Sequence, residues 1–448
     1  MKILIADHVL PVASKPIENG AVVVDKDKIA GIGPKSEILA KHPGIECEEF
    51  GASVLMPGFI NCHAHLELTA MRGFLDEFDG DFFSWLMKLT KTRAERLSED
   101  DLKTSAIFGA VEAIRAGVTC CGDIGRLGIA GFEALKATGL RGILFQETEF
   151  SPLNSSAMED FERLSEKIHN LKNSETDLVK VGISPHAPYT VSEKLFGLLA
   201  EFALDTDLQV TIHAAESNEE VAFLKTGSGF FADMFAKFAI EWKAPGMSPI
   251  EFLEKTGILR TKPLLAHCVK VSKTDLDRIA ESGARIAHCP KSNAKFGHGA
   301  APFGHFIEKG IDFGLGSDSM ASNNVCDILE EARFAALIGR TGTEENKFHS
   351  PQKLIETATI GGARALGLES KTGALEVGKQ ADIVAVGLNN FAQMPVHDIY
   401  STLLFATSAR DVKMTMVSGK VLYRDNRLTE IDENALKLKM NKIAAKMR

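Results

Sequence analysis

The stretch Phe59-Ile60-Asn61-Cys62-His63-Ala64-His65 is an apolar run that ends in two histidines separated by one residue. Because the side chains of a strand alternate between its two faces, His63 and His65 point the same way and can reach one cation. A single pair of this kind is a weak signal, and two surface histidines would be the ordinary interpretation. Other apolar runs, however, also end in histidine or aspartate, at His213, His267 and Asp318.

Apolar strand candidates alternate with helical segments through the middle of the chain. The eight strand candidates are residues 57–67, 117–123, 141–148, 179–185, 209–215, 263–269, 284–289 and 311–317. Strands that alternate with helices imply an α/β fold with a parallel sheet, and eight units imply a closed (β/α)8 TIM barrel with its active site at the C-terminal strand ends. An open doubly wound sheet is the alternative, but the sequence lacks the Gly-rich phosphate turn expected after an early strand.

Both ends of the chain carry strand signals. Residues 21–24 and 29–34, joined by a polar turn, predict a hairpin, and further apolar runs lie at 381–386, 412–417 and 420–423. We predict a small β-sandwich domain formed by residues 1–56 and 371–448 around a barrel at 57–370. A helical stripe near the C-terminus predicts a docked surface helix, with Leu436, Met440, Ile443 and Met447 on its apolar face.

Composition narrows the classes of function. The 448 residues are 45% hydrophobic and 25% charged, as in ordinary globular proteins. A net charge of −9 argues against nucleic acid as a partner, because phosphate binding needs clustered cations. The sequence has no apolar run long enough to span a bilayer, and its seven cysteines form no CxxC pair. Charged residues close to Met1 argue against a signal peptide. We expect a cytoplasmic protein that binds a small-molecule substrate and no membrane; a homo-oligomer is left open.

The residues at the strand ends predict a metal centre. His63, His65 and His213 supply imidazoles and Asp318 supplies a carboxylate, a donor set that suits one zinc ion with a position left for water. Iron(II) or manganese(II) would also fit these ligands. A bound divalent cation lowers the pKa of its water to about 7, and Asp318 can take the remaining proton.

Three further residues are candidates for chemistry. Glu216, just past His213, can carry a proton to a leaving group as general acid. His267 is either a fifth ligand or a hydrogen-bond donor to the reacting oxygen, and we favour the donor because four protein ligands leave little room. His186, at the end of the fourth strand, is a candidate substrate contact. His288 ends the seventh strand and receives no role.

Two aromatic-rich segments, residues 76–96 and 227–257, exceed a minimal barrel. We expect most of their rings to pack on the barrel rim and some to overhang the mouth, where they would wall a substrate pocket.

Together these motifs resemble the amidohydrolase superfamily, in its branch of adenosine-type, guanine and triazine deaminases and chlorohydrolases. The matching stretches are residues 56–65, 213–216, 266–268, 288–293, 314–318 and 373–384. The resemblance implies one metal on the four ligand candidates, proton transfer by Glu216 and Asp318, and assistance by His267. Superfamily members with two metals carry a lysine at the end of strand four, and this chain has His186 there.

The resemblance also suggests a substrate class. The branch deaminates aromatic N-heterocycles, in which water adds to an amidine-like ring carbon and ammonia leaves. Residues 184–189, with His186, resemble the element that contacts the sugar in members acting on adenine nucleosides. The Leu66-Glu67-Leu68 element and the insert through Pro249 resemble the aminodeoxyfutalosine deaminases of menaquinone biosynthesis. Glu67 is then either a contact to a substrate hydroxyl or part of a salt bridge at the rim.

We therefore expect a mononuclear metal-dependent deaminase of a 6-aminopurine nucleoside derivative, with 6-amino-6-deoxyfutalosine as the best candidate. The alternatives are deamination of S-adenosylhomocysteine, methylthioadenosine or adenosine, and hydrolysis of another leaving group, such as chloride, from an N-heterocycle. A non-catalytic scaffold is disfavoured by the complete ligand set and by Glu216.

Overall fold

The computed structural model describes residues 1–341 and 348–447. The strands are β1 (Lys2–Val9), β2 (Ile17–Asp25), β3 (Lys28–Pro34), β4 (Cys47–Glu49), β5 (Ser53–Pro57), β6 (Phe59–Ala64), β7 (Val118–Gly125), β8 (Arg141–Glu147), β9 (Val179–Ser184), β10 (Thr211–Ala214), β11 (Leu264–His267), β12 (Arg285–His288), β13 (Phe313–Leu315), β14 (Ile383–Gly387), β15 (Val412–Val417), β16 (Lys420–Arg424) and β17 (Arg427–Leu428).

The α-helices are α1 (Lys35–Lys41), α2 (Phe82–Arg96), α3 (Glu99–Arg115), α4 (Ile129–Thr138), α5 (Ala157–Lys172), α6 (Glu193–Thr206), α7 (Asn218–Thr226), α8 (Phe230–Lys237), α9 (Pro249–Lys255), α10 (Lys273–Ser282), α11 (Pro290–Lys295), α12 (Phe303–Glu308), α13 (Met320–Asn323), α14 (Ile328–Thr341), α15 (Pro351–Glu356), α16 (Gly362–Ala365), α17 (Ile399–Ser401) and α18 (Glu433–Met447). Within the described residues, none of the helices has the length and apolar character that a membrane span requires.

The two ends of the chain share one nine-stranded sheet. Its main path runs β17-β16-β15-β14-β5-β1-β2-β3, and β4 also pairs with β1. The ends meet where β14 pairs antiparallel with β5, and the predicted hairpin is the antiparallel pair β2–β3. Alternate residues of these strands, among them Leu4, Val22 and Ile383, bury their side chains in a core of their own. The prediction that both ends combine into one β-rich unit is confirmed.

The eight strands predicted in the middle of the chain are all present, as β6 to β13. They form two four-stranded parallel sheets, in the orders β6-β7-β8-β9 and β10-β11-β12-β13. Isolated parallel bridges join the two sheets at both edges, Ile183 to Val210 on one side and Ala64 to Asp318 on the other. The predicted α/β class with parallel strands is confirmed, and all eight strands end towards the same side.

Several of the helices begin where the sequence supplies a capping side chain. The Ser98 hydroxyl and the Asp101 carboxylate form a capping box at the start of α3, and the Asp81 carboxylate accepts the Ser84 N–H at the start of α2. The predicted C-terminal helix is α18, which buries Leu436, Ile443 and Met447 as expected. Lys446 of α18 donates to the Asp101 carboxylate at 2.7 Å, which ties α18 to the start of α3.

Candidate active site

Four potential ligand atoms meet at the C-terminal ends of the parallel strands. His65 Nε2 lies 3.3 Å from His213 Nε2. Asp318 Oδ1 lies 3.5 Å from His63 Nε2 and 3.6 Å from His65 Nε2. The structure therefore brings together all four residues that the sequence singled out as metal ligands.

The arrangement fits a small divalent metal ion. Ligand atoms about 2.0–2.1 Å from a tetrahedral metal stand about 3.3–3.4 Å from one another, close to the separations seen here. Both ring nitrogens of His63 are buried and have no hydrogen-bond partner among the described residues, and a metal would bind one of them. Burial lowers the pKa of His63 to about 4 and that of His65 to about 3, so both rings are neutral at pH 7, as ligation requires.

A second group of donor atoms shares one histidine with the first. The carboxylate of Glu147 and the rings of His186 and His213 present donor atoms within 4.8 Å of one another. His213 Nδ1 lies 3.0 Å from the carbonyl oxygen of His186, so this nitrogen carries the proton and only Nε2 keeps a free lone pair. One lone pair binds one metal ion. The two groups of donor atoms therefore cannot each hold a metal ion through His213.

Asp318 is held in place from several sides. It adopts a positive φ of 56°, a strained conformation for a residue with a side chain, and its N–H donates to the carbonyl of His63 at 2.9 Å. Its Oδ2 accepts hydrogen bonds from the hydroxyls of Ser292 at 2.5 Å and Ser322 at 2.8 Å. These two hydroxyls occupy Oδ2 and leave Oδ1 directed at the histidines. Neither serine was singled out from the sequence.

Glu216 lies in the same pocket, with its carboxylate buried. Its Oε1 is 3.8 Å from His267 Nε2 and 3.6 Å from His298 Nε2. Burial on its own would raise the pKa of Glu216. The interactions of its carboxylate with His267, His298 and His213 have a larger and opposite effect, and they lower the pKa to about 2. Glu216 is therefore a carboxylate at neutral pH and can accept a proton before it donates one.

His267 ends β11 as predicted and faces Glu216. Its φ is 73°, which is a strained backbone conformation at the end of a strand. Its Nδ1 lies 2.9 Å from Asn293 Oδ1. This contact directs Nε2 towards the pocket. His298 was missed from the sequence, because it lies in an irregular loop without strand alternation; the structure buries it between Glu216 and the ring of Phe82, 5.2 Å away.

A pocket opens beside the four ligand candidates. It encloses about 690 Å³, open solvent at its mouth included. The predicted substrate contacts His186 and Glu67 both line it. The pKa of His186 is held well below its usual value, by burial first and by nearby His213 and Arg126.

Glu67 forms an ion pair rather than standing free. Arg93 on α2 lies 2.8 Å from Glu67 Oε1, and the backbone N–H of Arg126 donates to the same oxygen at 3.3 Å. Of the two interpretations that the sequence left open, the salt bridge is observed. Because Arg93 also lines the pocket, the pair belongs to the pocket wall.

Aromatic residues of the first insert form one wall of the pocket. Phe82 and Trp85 of α2 line it together with Phe296, whose ring lies 4.9 Å from that of Trp85. The described rings of the second insert do not line the pocket. Phe231 stacks on Tyr189 at 4.0 Å, and Trp242 stacks on Phe223 at 3.7 Å, outside the pocket lining. The expected aromatic wall therefore comes from α2 and not from residues 230–242.

His288, which received no role, is packed away from the pocket. It is buried and stacks against Phe303 at 5.9 Å, and burial lowers its pKa to about 3. All seven cysteines are free thiols, and only Cys47 is exposed.

Comparisons with known proteins agree with this geometry. The 5-methylthioadenosine/S-adenosylhomocysteine deaminase of Teredinibacter turnerae is 30% identical over 438 residues, which cover 96% of this chain and 94% of that protein. The crystal structure of an adenosine deaminase from Xanthomonas campestris with bound zinc has a TM-score of 0.88 and 26% identity, and the match covers 100% of this chain and 98% of that one.

A further solved structure shows a likeness of fold alone. The Helicobacter pylori aminofutalosine deaminase, in complex with methylthio-coformycin, matches with a TM-score of 0.80 and 24% identity, over 94% of this chain and 100% of that one. The family model described as the amidohydrolase family matches residues 54–422. The predicted superfamily is thereby confirmed, and this chain belongs to the amidohydrolase family.

Proposed function

We propose that this chain is a mononuclear metal-dependent hydrolytic deaminase of 6-aminopurine nucleosides, which releases ammonia. The observation that carries the proposal is the convergence of His63, His65, His213 and Asp318 on one point beside the buried carboxylate of Glu216. Deaminase names among relatives that align nearly end to end support the same reaction class.

His63, His65, His213 and Asp318 would hold the metal, with zinc as our first choice and iron(II) or manganese(II) as alternatives. The chemistry that the ion supplies when bound is Lewis-acid activation of water. The choice of zinc is supported by the nitrogen-rich donor set and by the zinc of the Xanthomonas campestris adenosine deaminase.

The remaining steps belong to side chains of this chain. Asp318 and Glu216 accept the two protons of the attacking water on their carboxylate oxygens. Both protons pass to the substrate, one to the ring nitrogen of the amidine and one, delivered by Glu216, to the amino group that leaves as ammonia, so that both carboxylates end the cycle ionised. Since Glu216 is ionised at neutral pH, it begins the cycle as a base and becomes the acid afterwards. His267 directs its Nδ1–H at Asn293 Oδ1 and so turns Nε2 towards the pocket, where Nε2 donates to the developing oxygen when it also carries a proton. Phe82, Trp85 and Phe296 exclude bulk water.

For the substrate itself we propose an adenine nucleoside with a bulky, partly aromatic 5′ substituent, of which 6-amino-6-deoxyfutalosine of menaquinone biosynthesis is the best candidate. The aromatic wall of α2 supports an aromatic substituent, and the Glu67 element supports the choice by its resemblance. In this proposal His186 contacts the sugar, and Glu67 acts through its pair with Arg93.

A second candidate is deamination of methylthioadenosine or S-adenosylhomocysteine. It is favoured by a specific observation, since curated relatives at 30% and 31% identity over 96% and 94% of this chain carry that name.

An ammonia-release screen tests both candidates. Purified protein is given 6-amino-6-deoxyfutalosine, methylthioadenosine, S-adenosylhomocysteine and adenosine, and the conversion from 6-amino to 6-oxo purine is followed by ultraviolet absorbance. Guanine and a chlorotriazine serve as comparison substrates. Turnover of those two alone would reject the nucleoside proposal and leave the hydrolytic site in place.

The architecture that goes with this proposal is a closed eight-stranded barrel at residues 57–370, capped by a β-sandwich of residues 1–56 and 371–448. The two bridges that join the parallel sheets support closure. The cytoplasmic location and a homo-oligomeric state remain predictions.

A further inference from the structure

We propose that Glu147 is a specificity-determining residue, whose carboxylate forms a subsite for the ribose hydroxyls of the substrate. The inference rests on the proposed function and deepens it, because it assigns the part of the pocket that recognises the sugar.

Glu147 is the last residue of β8, at the strand ends where the ligand candidates meet. Its side chain is 7% exposed and lines the pocket. Its carboxylate lies within 4.8 Å of the ring nitrogens of His186 and His213. Glu147 therefore borders the reacting region, where the group attached directly to the purine ring must lie.

One oxygen of this carboxylate has no partner. Glu147 Oε1 is buried and accepts no hydrogen bond from the described residues. An unpaired buried carboxylate oxygen is costly, so a ligand that offers a hydrogen-bond donor there gains affinity.

The surrounding charges favour a hydrogen-bond donor over an anionic group. Arg126 Nε stands 3.4 Å from Glu147 Oε2 and 3.7 Å from the carboxylate of Glu149, so Glu147 and Glu149 share one positive charge. Arg126 Nε does not form a hydrogen bond in this arrangement, and Oε1 stays free. A ligand carboxylate at this place would be repelled, whereas the hydroxyls of a vicinal diol donate without adding charge.

His186 completes the subsite. Its Nδ1 lies 2.8 Å from the Thr190 hydroxyl, which fixes the ring and leaves Nε2 for the ligand. The carboxylate of Glu147 can accept a hydrogen bond from one hydroxyl of a diol. The His186 ring nitrogen can pair with the other hydroxyl, because a hydroxyl both donates and accepts.

The experiment compares sugars within each enzyme. The ratio of kcat/KM for adenosine to that for 2′-deoxyadenosine and for 3′-deoxyadenosine is measured in the wild type, Glu147→Gln and Glu147→Ala, with metal content determined for each. The matched control is Glu149→Gln, because Glu149 also faces Arg126 but is 54% exposed and lies outside the pocket lining.

We expect the wild type to prefer at least one hydroxyl by about 10- to 100-fold, as hydrogen bonds to charged groups contribute. Glu147→Ala should bring this ratio close to one, Glu147→Gln should keep part of it, and Glu149→Gln should leave it unchanged. An unchanged ratio in Glu147→Ala, or a wild type indifferent to both hydroxyls, overturns the proposal. Loss of metal from Glu147→Gln would make Glu147 a ligand instead, and overturns it too.

A binding measurement separates this inference from the proposed reaction. Inosine and 2′- and 3′-deoxyinosine, the products expected from deamination, are titrated calorimetrically into the same four proteins, with no turnover required. If no adenine nucleoside is deaminated but Glu147→Ala loses the preference for inosine, the deaminase proposal fails and the subsite stands. If adenosine is deaminated and the preference survives in Glu147→Ala, the subsite fails and the deaminase stands.

Discussion

The carboxyl group of Glu220 holds the backbone of Glu216: Glu220 Oε2 accepts a hydrogen bond from the Glu216 N–H at 2.8 Å. Its other oxygen accepts the N–H of Ala215 at 3.0 Å, and Ala215 turns the chain with a φ of 51°. Burial raises the pKa of Glu220 to about 8, against the effect of these N–H groups. The side chain of Glu216 is thereby directed into the pocket from a fixed backbone.

We predict that Glu216→Gln keeps the metal and loses deamination. The change preserves shape but removes the group that accepts and returns a proton, and such groups contribute about 10²–10⁴ in rate. Steady-state kcat and metal content are measured together. Glu219→Gln is the control, because Glu219 is an exposed glutamate in the first turn of α7, three residues beyond Glu216. A Glu216→Gln enzyme within a few-fold of the wild type would exclude Glu216 as the shuttle.

We predict close to one equivalent of divalent metal per chain. His213 has one free ring nitrogen, so the two donor groups that share it cannot both be filled. His213→Ala should lose the metal, and His186→Ala should keep it while losing discrimination between nucleosides and free bases. Elemental analysis of protein purified without chelators measures all three proteins. Two equivalents in the wild type, or loss of metal from His186→Ala, would contradict the single-metal interpretation.

We predict that Ser292→Ala and Ser322→Ala weaken metal binding although neither serine is a ligand. Their hydroxyls donate to Asp318 Oδ2 and so direct Oδ1 at the histidines. Losing a group that orients a ligand costs about 10- to 100-fold in metal affinity. Competition with a chromogenic chelator measures the affinity, and the double variant should be weaker than either single one. Unchanged affinity in the double variant would show that Asp318 needs no such support.

We predict that Asp123→Asn removes a pH dependence of stability. Asp123 is fully buried, and burial raises its pKa well above 3.8, although its Oδ1 accepts the Leu66 N–H at 2.8 Å. The folded state therefore holds a proton that the unfolded state releases above pH 3.8. The stability of the wild type consequently falls as the pH rises from about 4 towards the folded-state pKa, by at most about 1.4 kcal/mol per pH unit.

Urea unfolding at several pH values between 4.5 and 7.5 checks this sign. The slope of unfolding free energy against pH should be less negative in Asp123→Asn than in the wild type. The exposed Asp177→Asn should keep the wild-type slope. If the free energy of unfolding has the same slope against pH in the wild type and in Asp123→Asn, Asp123 has the same pKa in the folded and the unfolded chain.

The sequence predicted the parallel strands and the metal ligands for one physical reason. Apolar runs with a polar residue at their end identify both a buried strand and the edge where side chains gather, and this found His213 and Asp318 alike. The same signal was present at Glu147, which ends an equally apolar run and was not singled out. His298 and Arg93 carry no such signal, because one lies in an irregular loop and the other on a helix of an insert. Only the folded chain brings them to the pocket.

The chain's two tryptophans allow a matched test of the aromatic wall. Trp85, on α2, lines the pocket, whereas Trp242 stacks on Phe223 outside the pocket lining. We predict that Trp85→Leu lowers kcat/KM for 6-amino-6-deoxyfutalosine more than for adenosine, because only the former places an aromatic substituent against this wall. An aromatic pair contributes about 0.5–1.5 kcal/mol beyond the area that it buries, so the ratio of the two kcat/KM values should fall by about 2- to 10-fold.

Trp242→Leu also removes a buried ring and should cost stability, but it should leave that ratio unchanged. The ratio is taken within one enzyme, so partial unfolding of either variant cancels from it. Equal losses on both substrates in Trp85→Leu would mean that α2 does not contact the 5′ substituent. A wild type that prefers methylthioadenosine or S-adenosylhomocysteine would instead favour the second candidate function, and the Trp85 ratio should then be measured for methylthioadenosine against adenosine. A fall in that ratio would assign the same wall to a thioether, because an aromatic ring also packs favourably against sulfur.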